Sequence, residues 1–311
     1  MSSRFLGVDT SNYRTSAAVY DAATGAWCNE GSLLTVPEGA IGLRQSDALF
    51  QHTVRLHEKI EALPQGEVSA IGVSTRPRAV EGSYMPCFLA GISAARSAAH
   101  LLCVPLFENA HQQGHVAAAA LSAGRLDLLD APFLAWHLSG GTSELLLVRP
   151  DAHGMPDCTC IGGTTDLAAG QLIDRAGALL GLAFPSGAEL DRLALTAAPE
   201  NGYRPKVEEC SFSLSGMQNQ IDTLHKKGAE GAAVARFALE TVANAVIKAT
   251  EQALTQYPYP VLCAGGVMAS EVIRLRLQRF DDIYFAEPVL SGDNAVGAAV
   301  LAARQYERNQ T

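Results

Sequence analysis

Residues 5–20 read FLGVDTSNYRTSAAVY, two apolar runs of strand-forming residues separated by a polar stretch. Phe5 to Thr10 predicts a first strand and Ser16 to Tyr20 a second. After turn-forming residues at 21–25, the run Trp27 to Leu34 predicts a third. Three strands in close succession predict the antiparallel opening of a sheet. The order continues with a helix over 46–63, a strand over 70–74, a helix over 83–102 and a strand over 104–107.

The same order of elements recurs in the second half of the chain. Strands are predicted over 133–138, 143–148 and 158–161, then helices from 167, from 189 and over 231–256, a strand over 261–264, a helix from 269, a strand over 283–285 and a last helix from 294. Duplicated β-β-β-α-β-α-β units predict an α/β chain with the two-lobed actin-like fold of sugar kinases and Hsp70 proteins, whose ligand lies in the cleft between lobes. The predicted domains are a first lobe of 1–108, with the C-terminal helix 294–311 packing back on it, and a second lobe of 109–293 with helical insertions. Two unrelated α/β lobes are the alternative, because the duplication rests on element order alone.

Charge and composition limit the functions to consider. The 311 residues carry 23 Lys and Arg against 32 Asp and Glu, a net charge of −9, so bulk charge does not favour nucleic acid and RNA contact needs a local basic patch. The local basic clusters are Arg274, Arg276 and Arg279, and the run His225-Lys226-Lys227. No leader pattern and no apolar stretch near the ~20 residues of a membrane span is present, which predicts a cytoplasmic protein without membrane contact. Seven cysteines without a Cys-x-x-Cys pair predict free thiols.

Two histidines four residues apart give the sharpest chemical pattern. On a helix, His111 and His115 project from one face about one turn apart and can share one metal ion. A zinc peptidase would need a carboxylate after the first histidine, and Gln112 stands there, which argues against proteolysis. Asp293 in a strand-to-helix turn is the best third ligand, giving a 2-His-1-carboxylate set that suits iron or zinc. The alternative is that Asp293 caps the final helix.

Three glycine-bearing turns follow predicted strands and suggest a nucleotide site. They are Gly7 to Asn12, Leu138 to Ser143 and Val261 to Val267, in which small residues let a backbone approach a phosphate closely. Each turn alone is also explained as a tight turn. Asp166, Asp174, Glu189 and Asp191 lie on predicted helices, where they either bind ribose hydroxyls or form a solvated face.

These residues together resemble the family of TsaD, a subunit of the tRNA threonylcarbamoyladenosine synthase once named O-sialoglycoprotein endopeptidase. The matching segments occur in order along nearly the whole chain: 7–11, 109–115, 139–141, 166–170, 185–191, 212–216, 265–267 and 293–294. The resemblance implies a metal held by His111, His115 and Asp293, and catalytic roles for Asp9 and Ser11. It also implies an adenine nucleotide or acyl-adenylate bound by Ser139, Gly140, Gly141, Asp166, Gly187, Asp191, Gly265, Gly266 and Ser270.

The activity that the resemblance implies is transfer of a threonylcarbamoyl group from its adenylate to an adenosine beside the tRNA anticodon, with the metal as a Lewis acid. The implied partners are tRNA, an actin-like partner subunit and an ATPase subunit, and a homodimer is a further candidate. A non-catalytic nucleotide-binding scaffold is the alternative from another class, and a metalloprotease is a third.

The chain departs from the family at several places. The family's Cys-Asp-Glu is Asn12-Tyr13-Arg14, which exchanges two carboxylates for a phenol and a cation, and its Arg-Gly-Pro-Gly is Arg76-Pro77-Arg78-Ala79. Further changes are Thr142 for His, Leu167 for Asp, Gln171 for Glu, Gln218 for Lys and Ser270 for Asn. The implied metal ligands are kept while their surroundings change, which leaves open a paralogue that acts on an acceptor other than tRNA.

Overall fold

The structure is a computed structural model that describes residues 3–11, 13–37 and 42–310. The chain divides into two compact units. Unit 1 comprises 1–131, 149–158 and 292–311, and unit 2 comprises 132–148 and 159–291.

Unit 1 contains a five-stranded sheet with helices against it. Its elements are β1 Arg4–Asp9, β2 Arg14–Asp21, β3 Trp27–Leu33, α1 Gln45–Glu61, β4 Ala70–Arg76, α2 Phe88–Leu102, β5 Leu106–Ala110 and α3 His111–Ser122, and the chain's last helix also belongs to it. The strand order is β3-β2-β1-β4-β5, with β1 antiparallel to β2 and parallel to β4. This is the predicted β-β-β-α-β-α-β order.

Unit 2 contains a seven-stranded sheet. Its elements are β6 Phe133–Leu138, β7 Ser143–Pro150, β8 Pro156–Thr164, α4 Ala169–Leu179, α5 Gly187–Ala194, β9 Val207–Glu208, β10 Ser211–Phe212, α6 Ser215–Lys226, α7 Gly231–Gln256, β11 Val261–Ala264, α8 Glu271–Leu277 and β12 Ile283–Phe285, and α9 Val296–Arg308 then returns to unit 1. The order is β12-β11-β6-β7-β8-β10-β9. Read from β8 to β12, its first five strands repeat the order of the unit 1 sheet, so the duplication predicted from element order is present in the topology.

Small residues let α9 lie directly on the sheet of unit 1. A Cβ atom added to Gly7 of β1 would stand 2.1 Å from the carbonyl oxygen of Ala295, and one added to Gly72 of β4 would stand 2.0 Å from that of Ala298. Gly297 and Gly114 bring α9 equally close to α3, since a Cβ at Gly297 would stand 1.8 Å from the carbonyl oxygen of Gly114. The start of α9 is therefore fixed against both the sheet and α3.

The structure differs from the sequence prediction in several respects, of which three bear on the site and the units. Strands β9 and β10 and helix α6 were not predicted, because the strands have two residues each and α6 buries only Met217 and Ile221. Helix α2 begins at Phe88 instead of 83. Residues 109–131 belong to unit 1, although the predicted boundary of the first lobe is 108. They do so because α3 packs on α9.

None of the helices formed by the described residues combines the length and apolar character that a bilayer crossing requires. All seven cysteines are free thiols.

Candidate metal centre and nucleotide cavity

Three potential metal-ligating atoms converge in unit 1. Helix α3 begins at His111, which sets His115 one turn further along the same face, and their Nε2 atoms lie 2.9 Å apart. The Oδ1 atom of Asp293 lies 3.3 Å from Nε2 of His115 and 3.5 Å from Nε2 of His111. Bonds of about 2.1 Å in a tetrahedral arrangement place ligand atoms about 3.4 Å apart. The structure therefore brings the three predicted residues together, with donor atoms and spacing that fit a divalent metal ion.

Asp293 is free to serve this cluster because its neighbour caps the helix. The Oδ1 atom of Asn294 accepts hydrogen bonds from the backbone N–H groups of Val296 and Gly297, at 3.0 and 3.4 Å. The alternative reading of Asp293 as a helix cap is therefore wrong.

Asp9 orients His111 through a hydrogen bond to the ring nitrogen that does not face the cluster. Its Oδ2 atom accepts a hydrogen bond from Nδ1 of His111 at 2.9 Å, and the side chain is 1% exposed at the end of β1. The backbone N–H of Ser11 donates to Oδ1 of Asp9 at 2.9 Å, and the Ser11 hydroxyl donates to the same oxygen. A carboxylate on Nδ1 fixes the ring so that the Nε2 lone pair points at the metal position. Of the two predicted catalytic residues, Asp9 is therefore placed as a positioning residue, and the Ser11 hydroxyl lies 3.4 Å from Nε2 of His111.

Charge complementarity shifts the protonation of this cluster. Burial alone would raise the pKa of Asp293 and lower that of His111. Hydrogen bonds and charge from His111 and His115 instead hold the pKa of Asp293 well below its ordinary value, and His111 likewise lowers the pKa of Asp9. The two carboxylates raise the pKa of His111 from 6.5 to about 10. The metal-free cluster therefore holds a proton on His111 at neutral pH.

That proton must leave when a metal binds, because a ligating imidazole is neutral. We expect about one proton to be released per metal bound at pH 7.5, and metal affinity to rise roughly tenfold per pH unit up to about pH 10. Calorimetric titration of the metal-free protein in two buffers of different ionisation enthalpy measures the release. The same titration on His111→Ala controls for protons from other groups, and equal release from both proteins would contradict the assignment.

A cavity of about 500 Å³ lies in unit 2. Five of the predicted nucleotide-binding residues line it: Gly140, Gly187, Asp191, Gly266 and Ser270. Its wall includes the side chains of Ile173, Leu239 and Phe184, and Phe184 is 84% exposed. An apolar wall with a few polar groups is typical of small-molecule sites and suits a flat heteroaromatic ring. Phe184 was not predicted from the sequence, although it directly precedes the Pro185 to Asp191 motif.

The acidic residues predicted near this site have structural partners. Asp191 accepts hydrogen bonds from the Ser270 hydroxyl and from the N–H groups at the start of α8, at 2.9 Å from Glu271. Asp166 is not among the residues that line the cavity. It accepts from the Ser213 hydroxyl at 2.5 Å and the N–H of Leu214 at 2.9 Å, ahead of α6. Burial opposes ionisation of Asp166, but these hydrogen bonds hold its pKa well below the ordinary value.

Three other predicted residues, Ser139, Gly141 and Gly265, do not line the cavity either. Ser139 stabilises the turn after β6, where its hydroxyl accepts from the N–H of Thr142 at 3.1 Å. Gly265 has φ +96, and a Cβ there would stand 2.2 Å from the carbonyl oxygen of Leu138, so the turn after β11 requires glycine. These residues shape the turns that carry Gly140 and Gly266 into the cavity.

Two sheets with the same strand order, each flanked by helices, define an actin-like fold, and solved structures confirm it. Full-length HypF in its phosphate- and nucleotide-bound form matches with a TM-score of 0.60 at 13% identity, over 99% of this chain and 56% of HypF. A ROK family glucokinase from Streptomyces griseus, in complex with glucose and AMPPNP, matches with a TM-score of 0.52 at 14% identity, over 96% and 99% of the two chains.

Sequence relatives place the chain within that class. The sequence model of the family described as TsaD, tRNA N6-adenosine threonylcarbamoyltransferase, matches residues 51–300. The tRNA N6-adenosine threonylcarbamoyltransferase of Carboxydothermus hydrogenoformans is 30% identical over 264 residues, 81% of this chain and 75% of that protein. That of Streptococcus mutans is 33% identical over 256 residues, 78% and 72% of the two chains. The chain belongs to the TsaD family and is a transferase, as the ordered motifs indicated.

Proposed function

We propose that this protein transfers a threonylcarbamoyl group to an adenosine of tRNA, with a metal ion at the His-Asp cluster and the adenylate of the donor in the unit 2 cavity. The observation that carries the proposal is the convergence of His111, His115 and Asp293, whose ligand atoms all lie within 4.8 Å of one another. Membership of the TsaD family supports the reaction, and the cavity supports an adenine-bearing donor.

The chain's own residues would contribute binding and orientation. His111, His115 and Asp293 would hold an iron or zinc ion, which would supply Lewis-acid chemistry. Asp9 keeps the His111 ring in the required tautomer through its hydrogen bond to Nδ1. The apolar wall of the cavity, with Phe184 and Leu239, would bind the adenine ring and exclude water from its faces.

Reconstitution with defined components tests this proposal. The metal-loaded protein is incubated with threonylcarbamoyl-adenylate and an unmodified tRNA transcript whose anticodon is followed by an adenosine, and the digested nucleosides are measured by mass spectrometry. We expect the threonylcarbamoylated nucleoside to appear with the wild type and to be absent with His115→Ala. Its absence with metal-loaded, donor-binding wild type would refute tRNA as the acceptor.

A second acceptor is favoured by one local feature. Tyr13 and Arg14 stand where the family has carboxylates and follow closely on Ser11, which contacts His111, while Asn12 lies outside the described residues. The Nε atom of Arg14 is buried and has no hydrogen-bond partner among the residues that the structure describes. The exchange of two carboxylates for a phenol and a cation next to Ser11 is the feature that favours an acceptor other than tRNA. Failure of the metal-loaded, donor-binding wild type to modify tRNA in the same reconstitution would support this alternative.

A scaffold without catalytic activity has less support. A scaffold does not need three converging ligand atoms, nor a carboxylate on Nδ1 of one of the histidines. The partner subunits implied by the family resemblance, and a homodimer, remain predictions.

A further inference from the structure

A second cavity in unit 2, of about 460 Å³, is lined by cations and is separate from the residues of the nucleotide cavity. Two helices and two adjoining segments provide its charged lining: Arg204 before β9, Lys248 and Glu251 on α7, Arg276 on α8, and Arg279 just after α8. The spacing of three residues puts Lys248 and Glu251 on one face of α7. The lining of this cavity therefore contains four cationic side chains and one carboxylate, that of Glu251.

The positive charge of this cavity is only partly neutralised. Arg276 is paired with the buried Glu240, which also binds Arg236. Arg279 has only a loose ion pair with Glu251, at 3.9 Å.

The remaining two cations of the cavity are exposed, and neither has an ion pair or hydrogen-bond partner within the described ranges. They are Arg204 and Lys248. A protein with a net charge of −9 thus keeps a local excess of positive charge at one place.

The cavity is also held in a fixed shape. The side-chain amide of Asn244 donates to the carbonyl oxygens of Gly202 and Tyr203, at 3.2 and 3.0 Å, while its oxygen accepts from Arg276 at 3.1 Å. One residue of α7 thereby ties both the segment before Arg204 and helix α8 to the same point. Preorganised cations lose less conformational entropy when they bind an anion.

The mutual repulsion of these cations is visible at Arg276. Burial lowers the pKa of Arg276, and the charges of Arg279, Arg236 and Arg204 lower it further. An anion in the cavity would relieve this repulsion, and the planar guanidinium groups match phosphate oxygens in geometry.

We propose that this cavity binds backbone phosphates of the tRNA acceptor, an inference that rests on the proposed function. Contact with RNA requires a local basic patch on this acidic chain, and this cavity provides one whose two unpaired cations are available to a polyanion. Cations that belong to two helices and two adjoining segments favour successive phosphates of a strand over a single free phosphate ion.

Neutralising the two unpaired cations tests the inference. Fluorescence anisotropy measures binding of an unmodified tRNA transcript to the full-length protein between roughly 50 and 200 mM salt. For Arg204→Gln with Lys248→Gln we expect at least about tenfold weaker binding, and a log–log salt slope smaller by about two, one for each lost phosphate contact. The control, Lys226→Gln with Lys227→Gln, removes the same charge from the other basic cluster of unit 2 and should leave the slope nearly unchanged.

Three results would overturn the inference. The first is an equal loss of tRNA affinity in the variant and the control, which would mean that the overall charge of the protein, and not this cavity, attracts tRNA. The second is unchanged tRNA binding by the variant. The third is loss of inorganic phosphate binding, measured by calorimetry, with tRNA binding intact, which would make the cavity a site for small anions.

Failure of the proposed function gives a different pattern. If the wild type binds tRNA through this cavity but transfers no threonylcarbamoyl group, the inference stands and the function falls. If the variant transfers the group with an unchanged KM for tRNA, the function stands and the inference falls. Asp293→Asn should abolish transfer while retaining tRNA binding, because Asp293 lies in the metal cluster of unit 1.

Discussion

Asp293→Ala is expected to yield a folded protein that retains almost no metal and has lost transferase activity. The substitution removes one of three ligand atoms and the carboxylate that lies closest to both Nε2 atoms, and leaves Asp9 as the remaining counter-charge of His111. Loss of a residue that merely orients a ligand typically lowers metal affinity 10–100-fold, so loss of the ligand itself should exceed that range. Metal content by elemental analysis and nucleoside formation by mass spectrometry check the result.

Two further variants separate the metal effect from a loss of folding. Asp9→Asn removes the charge behind His111 while its side-chain oxygen can still accept from Nδ1, and should weaken metal binding by about 10–100-fold without abolishing it. Asp127→Asn removes an exposed carboxylate of unit 1 that pairs with Arg125, and should bind metal like the wild type. Full metal occupancy and activity in Asp293→Ala would show that the cluster is not the metal site.

Gly297→Ala is expected to cause a large loss of stability, together with a loss of metal affinity. The added Cβ would stand 1.8 Å from the carbonyl oxygen of Gly114, a backbone atom that cannot rotate away. Helix α9 must then move away from α3, at a cost at the upper end of the ~1–3 kcal/mol typical of overpacking. Because Asp293 lies just before α9 and the histidines lie on α3, the movement separates the ligand atoms.

Chemical denaturation of the metal-free protein and metal titration measure the two effects. The matched control is Gly216→Ala, which changes the second residue of α6 as Gly297→Ala changes the second residue of α9, but whose Cβ meets open space. The control should gain about 0.5–1 kcal/mol, because alanine is the better helix former. Equal stability changes in the two variants would mean that the close approach of α3 and α9 does not position the site.

Local patterns in the sequence predicted the parts of the site that depend on local geometry. The i, i+4 spacing of His111 and His115 became two Nε2 atoms 2.9 Å apart, because one helical turn brings such side chains together. Two of the predicted glycine-bearing turns also contribute to the cavity wall, through Gly140 and Gly266. For Asp166, local sequence could not distinguish two roles of a carboxylate. It can accept hydrogen bonds from ribose hydroxyls or from backbone N–H groups, and in the structure Asp166 accepts from the N–H of Leu214 ahead of α6.

Helix α6 was missed for a related reason. Its apolar residues, Met217, Ile221 and Leu224, have the i, i+4, i+7 spacing of a helix, but three apolar residues among nine others give a weak signal. Likewise, nothing in the spacing of residues around 109 indicates that α3 groups with the first sheet, because that depends on the partner it packs against.

The amino-acid sequence by itself determined the order of strands and helices, the pairing of the two histidines and the family to which the chain belongs, because each depends on residues close in sequence or on motifs in order. Only the tertiary structure decided that Asp293, 178 residues from His115, completes the cluster while Asn294 caps the helix. That outcome depends on glycines that let α9 lie against β1, β4 and α3, and close packing between distant segments leaves no periodic pattern in the sequence.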